Sequence, residues 1–364
     1  MLVLSTVAVG CNTVRLGARC SPAQGFGQSG NYVTICQGGR WRVWRTKAQA
    51  AQILLEVLQA AQKPDPGQVV RPSTLGEPQL PHTADPSVLV DGGTTYVYST
   101  RTFLRLPVRA IPNPDQAYTE AQLDGIAREA MPSHVPWSSD DEVWAPSVAR
   151  IGNRYAAFFA ARRIGAPDPA NPQCIGRAWA DSPMGPFVPE GFPVHCGKDG
   201  HGALDPEVVR ATDGRLFLLA AFGGSNTNIW SIPLDVAGNV SGVATALLAR
   251  TQPWEDWFLE NPSMIWDGRN YVLSYSAGHW DSAAYVTGIA RCASPSGPCS
   301  SSPVGPWLSS IADRTGPGGL TFFVGADGAA RVAFHTYAAG TEADTTQRAT
   351  HVWHVYFDPW PRLG

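Results

Sequence analysis

The sequence predicts an all-β fold: a five-bladed β-propeller, preceded by a small cysteine-containing N-terminal segment with one helix. The main observation is an internal repeat. ADPSVLVDGGTTYVYST from Ala84, WAPSVARIGNRYAAFFAA from Trp144, LDPEVVRATDGRLFLLAAF from Leu204 and ENPSMIWDGRNYVLSYSAG from Glu260 share one order of features. Each has a Pro, an apolar strand, a Gly-containing turn and a second strand rich in aromatic and aliphatic residues. A fifth unit, GPGGLTFFVGADGAARVAFHTYA from Gly316, has Gly318 near the Pro position. The steps Pro86 to Pro146, to Pro206, to Pro262 and to Gly318 are 60, 60, 56 and 56 residues. Units of this length without helical periodicity match four-stranded blades with long loops. A sandwich of equal strand count would not require five near-equal periods.

The second observation is turn chemistry. Asp91-Gly92, Asp213-Gly214, Asp267-Gly268 and Asp327-Gly328 supply the positive φ that tight hairpins need. The third is a longer-range repeat, GRAWADSPMGPF from Gly176 against GIARCASPSGPC from Gly288, offset by 112 residues, or two periods of 56. The strand His351–Phe357 is expected to complete a blade near the ring closure.

Before the propeller, three zones are read. Residues 1–11 look like the apolar end of an export signal, closing on Cys11 in a loose lipoprotein cleavage box. Residues 12–62 form a small region with a β-like stretch at Tyr32–Cys36. Its helix over 47–62 is capped by Thr46 and carries an apolar stripe of Leu54, Val57, Leu58 and Ala61. Residues 63–81 are Pro-rich and read as a linker. The propeller spans 82–364.

Composition excludes several classes. Only 16% of the 364 residues are charged and the net charge is −3, so no basic excess is available for nucleic acid. The 44% hydrophobic content is ample for a core. No apolar run reaches the ~18 residues of a membrane span. Of seven cysteines, six fall into local couples, Cys20/Cys36, Cys174/Cys196 and Cys292/Cys299, with Cys11 left over. Three disulfides and a lipid anchor at Cys11 would account for all of them in an exported, extracellular or cell-surface protein. A cytosolic protein with buried thiols is the alternative. A monomer is expected.

In a propeller the first strand of each blade lines the central channel, so equivalent repeat positions face one another. The position before the shared Pro reads Asp85, Ala145, Asp205 and Asn261, with Glu260 one residue earlier in the fourth unit. Three acids from three blades would then meet at one mouth. Crowded acids are costly unless a site uses them. With no evident cation partner, they suggest acid–base work on a glycosidic bond. The bland alternative is that each Asp-Pro merely caps a turn, and it must then hold at three aligned positions together. Asp140–Glu142 and Glu255-Asp256 are read as solvated loop charges. Trp144, Phe222 and Trp280 are candidate sugar-stacking platforms, and blade packing is the competing role for each, as it is for Trp254 and Trp257. His279 and His335 are either ligands or polar core, the commoner role for a lone His.

These strings resemble glycoside hydrolase family 43. The matches are Asp85-Pro86, Trp144-Ala145-Pro146, Leu204-Asp205-Pro206 and Glu260-Asn261-Pro262, with similar Ser-Pro-x-Gly-Pro hairpins at Ser182 and Ser294. The resemblance implies Asp85 as general base, Glu260 as general acid and Asp205 as the residue that orients Glu260 and holds its pKa up. It implies inverting hydrolysis of arabinofuranosyl or xylosyl linkages in a polysaccharide or oligosaccharide, with the two carboxyl groups ~6.5–9.5 Å apart. Two positions depart from the pattern: Ser147 stands where Asp is common, and Gly319 where a His often helps hold a central metal. No cofactor is expected to be required, and a structural calcium finds no support in the sequence. A non-catalytic sugar-binding propeller is the second reading. A retaining, invertase-type propeller is disfavoured because Ala84-Asp85-Pro86-Ser87 and Leu204-Asp205-Pro206 lack its motifs.

Overall fold

The computed structural model describes residues 12–21, 26–52, 75–100, 102–140, 142–197, 200–222, 228–357 and 360–364. The chain divides into two compact units, Met1–Pro64 and Asp65–Gly364. The first holds a four-stranded sheet of β1 (Asn12–Thr13), β2 (Phe26–Ser29), β3 (Tyr32–Gln37) and β4 (Arg40–Thr46). Its strands are antiparallel except for β1 beside β2. Cys20 and Cys36 are bonded within it. Residues 47–52 are helical. The Thr46 hydroxyl accepts from the Gln49 N–H at 3.2 Å, as an N-cap should. The rest of the helix expected to 62, the linker to 74 and Cys11 lie outside the described residues.

The second unit contains five four-stranded antiparallel sheets, each built from consecutive strands. Sheet one comprises β5 (Ser87–Asp91), β6 (Thr94–Tyr98), β7 (Pro107–Ile111) and β8 (Arg128–Glu129). Sheet two comprises β9 (Trp144–Ile151), β10 (Arg154–Arg162), β11 (Gln173–Ala180) and β12 (Val188–Pro189). Sheet three comprises β13 (Ala203–Arg210), β14 (Leu216–Phe222), β15 (Asn228–Leu234) and β16 (Thr245–Leu248). Sheet four comprises β17 (Leu259–Trp266), β18 (Tyr271–Ala277), β19 (Val286–Cys292) and β20 (Cys299–Ser301). Sheet five comprises β21 (Arg314–Val324), β22 (Ala330–Ala338), β23 (Ala349–Phe357) and β24 (Pro361–Leu363). The first strands pack in sequence, β5 on β9, β9 on β13, β13 on β17, β17 on β21, and β21 back on β5. This closed ring is the arrangement of a β-propeller.

The core lies between blades. Tyr98 and Val108 of the first meet Phe159 and Ala178 of the second. Phe158 and Ile175 meet Leu218 and Ile232 of the third. Phe217 and Leu219 meet Leu273 and Tyr275 of the fourth. Val272 and Ile289 meet Phe322 and Phe334 of the fifth, and Ala333 and Val352 return to Val97 and Ile111. Middle strands are therefore buried on both faces, and β14 (LFLLAAF) is buried at every residue. That explains a continuous apolar run where a half-exposed strand would alternate.

The hairpin aspartates behave as turn residues. Asp213, Asp267 and Asp327 accept backbone N–H groups two residues on, and each following glycine has positive φ. Within the expected linker, residues 75–81 belong to the propeller. Leu75 and Leu80 are buried in its core. Leu80 exchanges backbone hydrogen bonds of 3.0 and 2.8 Å with Thr350 at the start of β23. The strand expected to close the ring is thus the third of its blade. A short helix, Glu120–Ile126, joins β7 to β8 behind a Thr119/Gln122 capping box.

All three expected disulfides form, with Cα separations of 5.7, 4.3 and 4.0 Å. The shortest joins directly facing residues of β19 and β20. There antiparallel geometry sets the approach, just below the usual span of ~4.4–6.8 Å. Cys174–Cys196 closes a separation of 22 residues. Replacing both by Ser should cost about 3 kcal/mol of stability. Denaturant unfolding should show it as a lowered midpoint, and an unmoved midpoint would refute a stabilising role for this bond.

Candidate active site

The site begins with a backbone device repeated five times. Asp85, Ala145, Asp205 and Asn261 have φ of 47°, 42°, 53° and 46°, and Gly319 has 59°. In the last four units, the inner-strand pairing is interrupted at this point. Each of these residues precedes Pro or, in blade five, Leu320. The fifth repeat is therefore aligned by Gly319-Leu320, two residues beyond the Gly318 alignment read from sequence. The left-handed residue and its successor from all five blades line one cavity on the channel axis. Backbone N–H groups freed from strand pairing find side-chain acceptors: Thr100 Oγ1 for Ala145, Asp205 Oδ2 for Asn261 and Ser276 Oγ for Gly319. Such conformations are costly for non-glycine residues and persist where the surroundings over-determine them.

Asp85 is held as an anion. Its Oδ2 accepts the Thr100 hydroxyl at 2.6 Å, and Arg348 Nη1 donates to both oxygens at 3.2 and 3.1 Å. Burial pushes its pKa up, but the charge of Arg348 and these hydrogen bonds outweigh that and leave it below the ordinary value. His335, wholly buried on β22, accepts the Asp85 backbone N–H on Nδ1 at 3.2 Å. Burial holds this imidazole down at about 3, so at neutral pH it is neutral. Arg348 then supplies the positive charge and His335 a hydrogen bond.

Glu260 and Asp205 are biased the other way. Burial is the chief cause for both. Glu260 is raised to about 7, with the Asp85 charge adding to the rise and a Tyr285 hydrogen bond and Arg348 opposing it. Asp205 is raised well above its ordinary value by burial, then by the charges of Glu260 and Asp85. These mutual effects put the three acids within electrostatic reach of one another, and Asp85 and Asp205 line the same cavity. Tyr285 Oη lies 2.7 Å from Glu260 Oε1 and 2.6 Å from Asn261 Oδ1.

One residue inward, the repeat reads Ser87, Ser147, Glu207, Ser263 and Thr321. Three hydroxyls accept a backbone N–H from the next blade: Ser87 from Val148, Ser147 from Val208 and Ser263 from Phe322. Glu207 accepts the hydroxyls of Ser147 and Ser263 at 3.0 and 3.2 Å, and burial raises it to about 7. The acid missing at Ser147 is thus present one blade on. Asp85 N–H fixes His335 Nδ1 as acceptor, so Nε2 carries the proton. Among the described residues, no group of three or more His, Cys, Asp or Glu is disposed to hold an ion.

The aromatic candidates divide. Trp280 is 38% exposed and has the Arg348 guanidinium 5.1 Å from its ring centroid, which brings it to the Asp85 side of the site. Trp144 heads β9 beside Ala145, with Arg162 over its ring at 5.1 Å. Phe222 does not fit a sugar platform: it is 3% exposed, with Trp230 stacked at 4.7 Å and His195 leaning on it at 4.9 Å. Trp254 stacks on Tyr275. Trp257 is 51% exposed with φ of 59° and its ring lies 4.2 Å from that of His279. Glu255, expected to be solvated, is 3% exposed and accepts the N–H groups of Thr251 and Gln252 and the Tyr275 hydroxyl. It anchors the loop before Glu260. Asp140 accepts the Glu142 N–H and lies 3.6 Å from Arg162, while Asp141 lies outside the described residues.

Arg348, Tyr285, Thr100 and Ser276 were not singled out from sequence, since none stands at a repeated motif position. The two glycines of blade five carry a signal in retrospect. A Cβ on Gly318 would meet the Tyr285 ring at 2.0 Å, and one on Gly319 would meet His335 Nδ1 at 2.5 Å and Asp85 Oδ1 at 2.9 Å. Gly319→Ala combines that clash with a left-handed φ. It should cost roughly 1–3 kcal/mol and, by moving Asp85, lower turnover at least about tenfold. Unchanged thermal stability and kcat would refute the packing described.

The family model for glycosyl hydrolases family 43 matches residues 75–361. A probable arabinan endo-1,5-alpha-L-arabinosidase B of Aspergillus fumigatus is 30% identical over 179 residues, 45% of each chain. Xylosidase/arabinosidase 43A of Humicola insolens is 31% identical over 157 residues, 39% of this chain and 44% of that one. The chain thus spans less than half the length of these curated relatives. Among solved structures, an alpha-L-arabinofuranosidase from Lactobacillus brevis superimposes with a TM-score of 0.67 at 20% identity, covering 79% of this chain and 95% of that one. With the motifs in order around the ring and the family model spanning the whole propeller, the chain belongs to glycosyl hydrolases family 43.

Proposed function

We propose that the protein is an inverting glycoside hydrolase acting on arabinofuranosyl or xylosyl linkages of polysaccharides or oligosaccharides. The observation that carries this is the opposite protonation bias of two buried acids that influence each other electrostatically. Asp85 is kept anionic by Arg348, and Glu260 is kept protonated by burial up to about pH 7. In this reading Glu260 gives its proton to the leaving glycosidic oxygen. Asp85 takes a proton from the water that attacks the anomeric carbon from the opposite face. Asp205 accepts the Asn261 N–H at 3.0 Å beside Glu260, and the two carboxyls disfavour ionising together. The sugar class rests on the printed activities of the curated relatives. Trp280 is the platform on the Asp85 side, with Trp144 at the head of the neighbouring blade.

Three disulfides suit an oxidising compartment, so an exported protein is part of the proposal. So is a lipid anchor at Cys11.

Aryl arabinofuranosides and xylosides, followed by a polysaccharide panel, test the activity. On substrates with sugar leaving groups, which need protonation, Asp85→Asn and Glu260→Gln should each lower kcat/KM about 10²–10⁴-fold. Full activity in Glu260→Gln would refute the acid assignment.

The pH profile should be a bell. Activity needs Asp85 ionised, so it rises through a pKa below the ordinary carboxylate range. It also needs Glu260 protonated, so it falls through about 7. Asp205→Asn removes the carboxyl that competes with Glu260 for negative charge and should move the alkaline limb to lower pH. A fixed limb would rule Asp205 out as the modulator. Arg348 lowers both carboxyls. Arg348→Met should therefore move both limbs to higher pH, by about one unit, and limbs that stay in place would show that its charge does not set the site.

A further inference from the structure

Tyr285 is buried at the start of blade four's third strand, next to the general acid but outside every repeated motif. Its hydroxyl faces two acceptors, Glu260 Oε1 at 2.7 Å and Asn261 Oδ1 at 2.6 Å, and has one proton to give. Behind it, the Gly319 N–H donates to Ser276 Oγ at 3.0 Å, and Ser276 interacts with the phenol. With one proton to give, the Tyr285 O–H must choose between the acid and the amide. The ring has no slack: it lies on Gly318, where even a Cβ would approach to 2.0 Å, and stacks on His335 at 6.1 Å with planes 9° apart.

We infer that Tyr285 is a positioning residue whose hydroxyl transfers its hydrogen bond from Asn261 Oδ1 to Glu260 Oε1 as Glu260 discharges its proton. The inference rests on Glu260 being the acid. In the resting state Glu260 is neutral and Tyr285 serves the amide. During cleavage the O–H bond on the other carboxyl oxygen, Oε2, breaks and a new O–H bond forms on the leaving oxygen. The electron pair stays on the carboxylate, and Oε1 receives the Tyr285 hydrogen bond. Tyr285 keeps its own proton throughout, since burial and the neighbouring acids raise its pKa well above the ordinary value. The amide left behind is neutral, so losing a donor costs it less than an unpartnered buried anion would cost. The exchange favours the transition state over the ground state, because charge on Glu260 exists only once transfer has begun.

Tyr285→Phe keeps the ring and removes only the hydroxyl. Losing a donor to the anion should raise the Glu260 pKa, so the alkaline limb of kcat/KM should move up by about one to two pH units. Substrates with sugar leaving groups, which need protonation, should lose about 10–100-fold in kcat. Nitrophenyl glycosides, whose leaving groups need none, should change less than about threefold. Difluorotyrosine at position 285 is a stronger donor of the same size and should move the limb to lower pH. An unmoved limb in both variants, or equal losses on both substrate classes, would overturn the inference. If the unaltered protein cleaves no glycoside, the activity reading itself fails. The inference alone fails if the unaltered protein is active and Tyr285→Phe responds alike on both substrate classes.

Discussion

The site depends on a single backbone constraint, the left-handed residue that opens the inner strand of every blade. It breaks strand pairing for two residues and turns one side chain toward the axis. It also leaves an N–H that a neighbouring side chain must satisfy. Because the ring repeats it five times, residues distant in sequence arrive at one cavity: Asp85, Ala145, Asp205, Asn261 and Gly319. Packing between blades holds these conformations in place, and each of the five interfaces has its own apolar cluster. Fold and site are thus coupled through the backbone rather than through loops alone.

The second constraint is electrical. Four carboxyl groups, Asp85, Asp205, Glu207 and Glu260, are buried along the channel, and Arg348 is the cation that contacts Asp85. One cation cannot keep four buried anions ionised. The structure resolves this by dividing roles. Asp85 takes the guanidinium and stays charged, while the others rise in pKa and hold protons. Glu207 is farthest from catalytic use and is satisfied by two serine hydroxyls instead. An asymmetric charge state in a nearly symmetric ring is what lets equivalent repeat positions carry unlike chemistry.

Much of this was legible in sequence because it lies on the repeat. Asp85 and Asp205 stand at the aligned position and Glu260 one residue before it, and the hairpin aspartates announce themselves by their glycines. The residues that tune the acids were not legible. Arg348 precedes β23, Tyr285 precedes β19 and His335 lies on β22, each present once, so no periodicity points to them. Blade five was misaligned by two residues because Leu320 replaces the marker proline. Phe222 and Glu255 were misjudged for one reason: a residue near a strand end can pack inward or outward, and only the neighbouring loop decides. For Phe222 the neighbours are Trp230 and His195, and for Glu255 a tight turn with two N–H groups to satisfy.

The bridge between Leu80 and Thr350 bears on how the ring is fastened. The disulfides of the propeller each join residues within a single blade or its adjoining loop, Cys174 to Cys196 and Cys292 to Cys299, so neither spans the seam. The seam between the fifth and first blades is held by side-chain packing, by this pair of backbone hydrogen bonds and by side-chain bonds such as Thr350 Oγ1 to Thr83 O, Arg331 to Asp115 and Arg348 to Asp85. The segment that carries Leu80 runs directly into Asp85. Mechanical or thermal parting of the seam would therefore dislodge Asp85, the proposed base, before any blade unfolds. Loss of turnover should accordingly precede loss of β-structure on heating. A shortened form of the protein should begin upstream of Leu75, so that the clasp is retained.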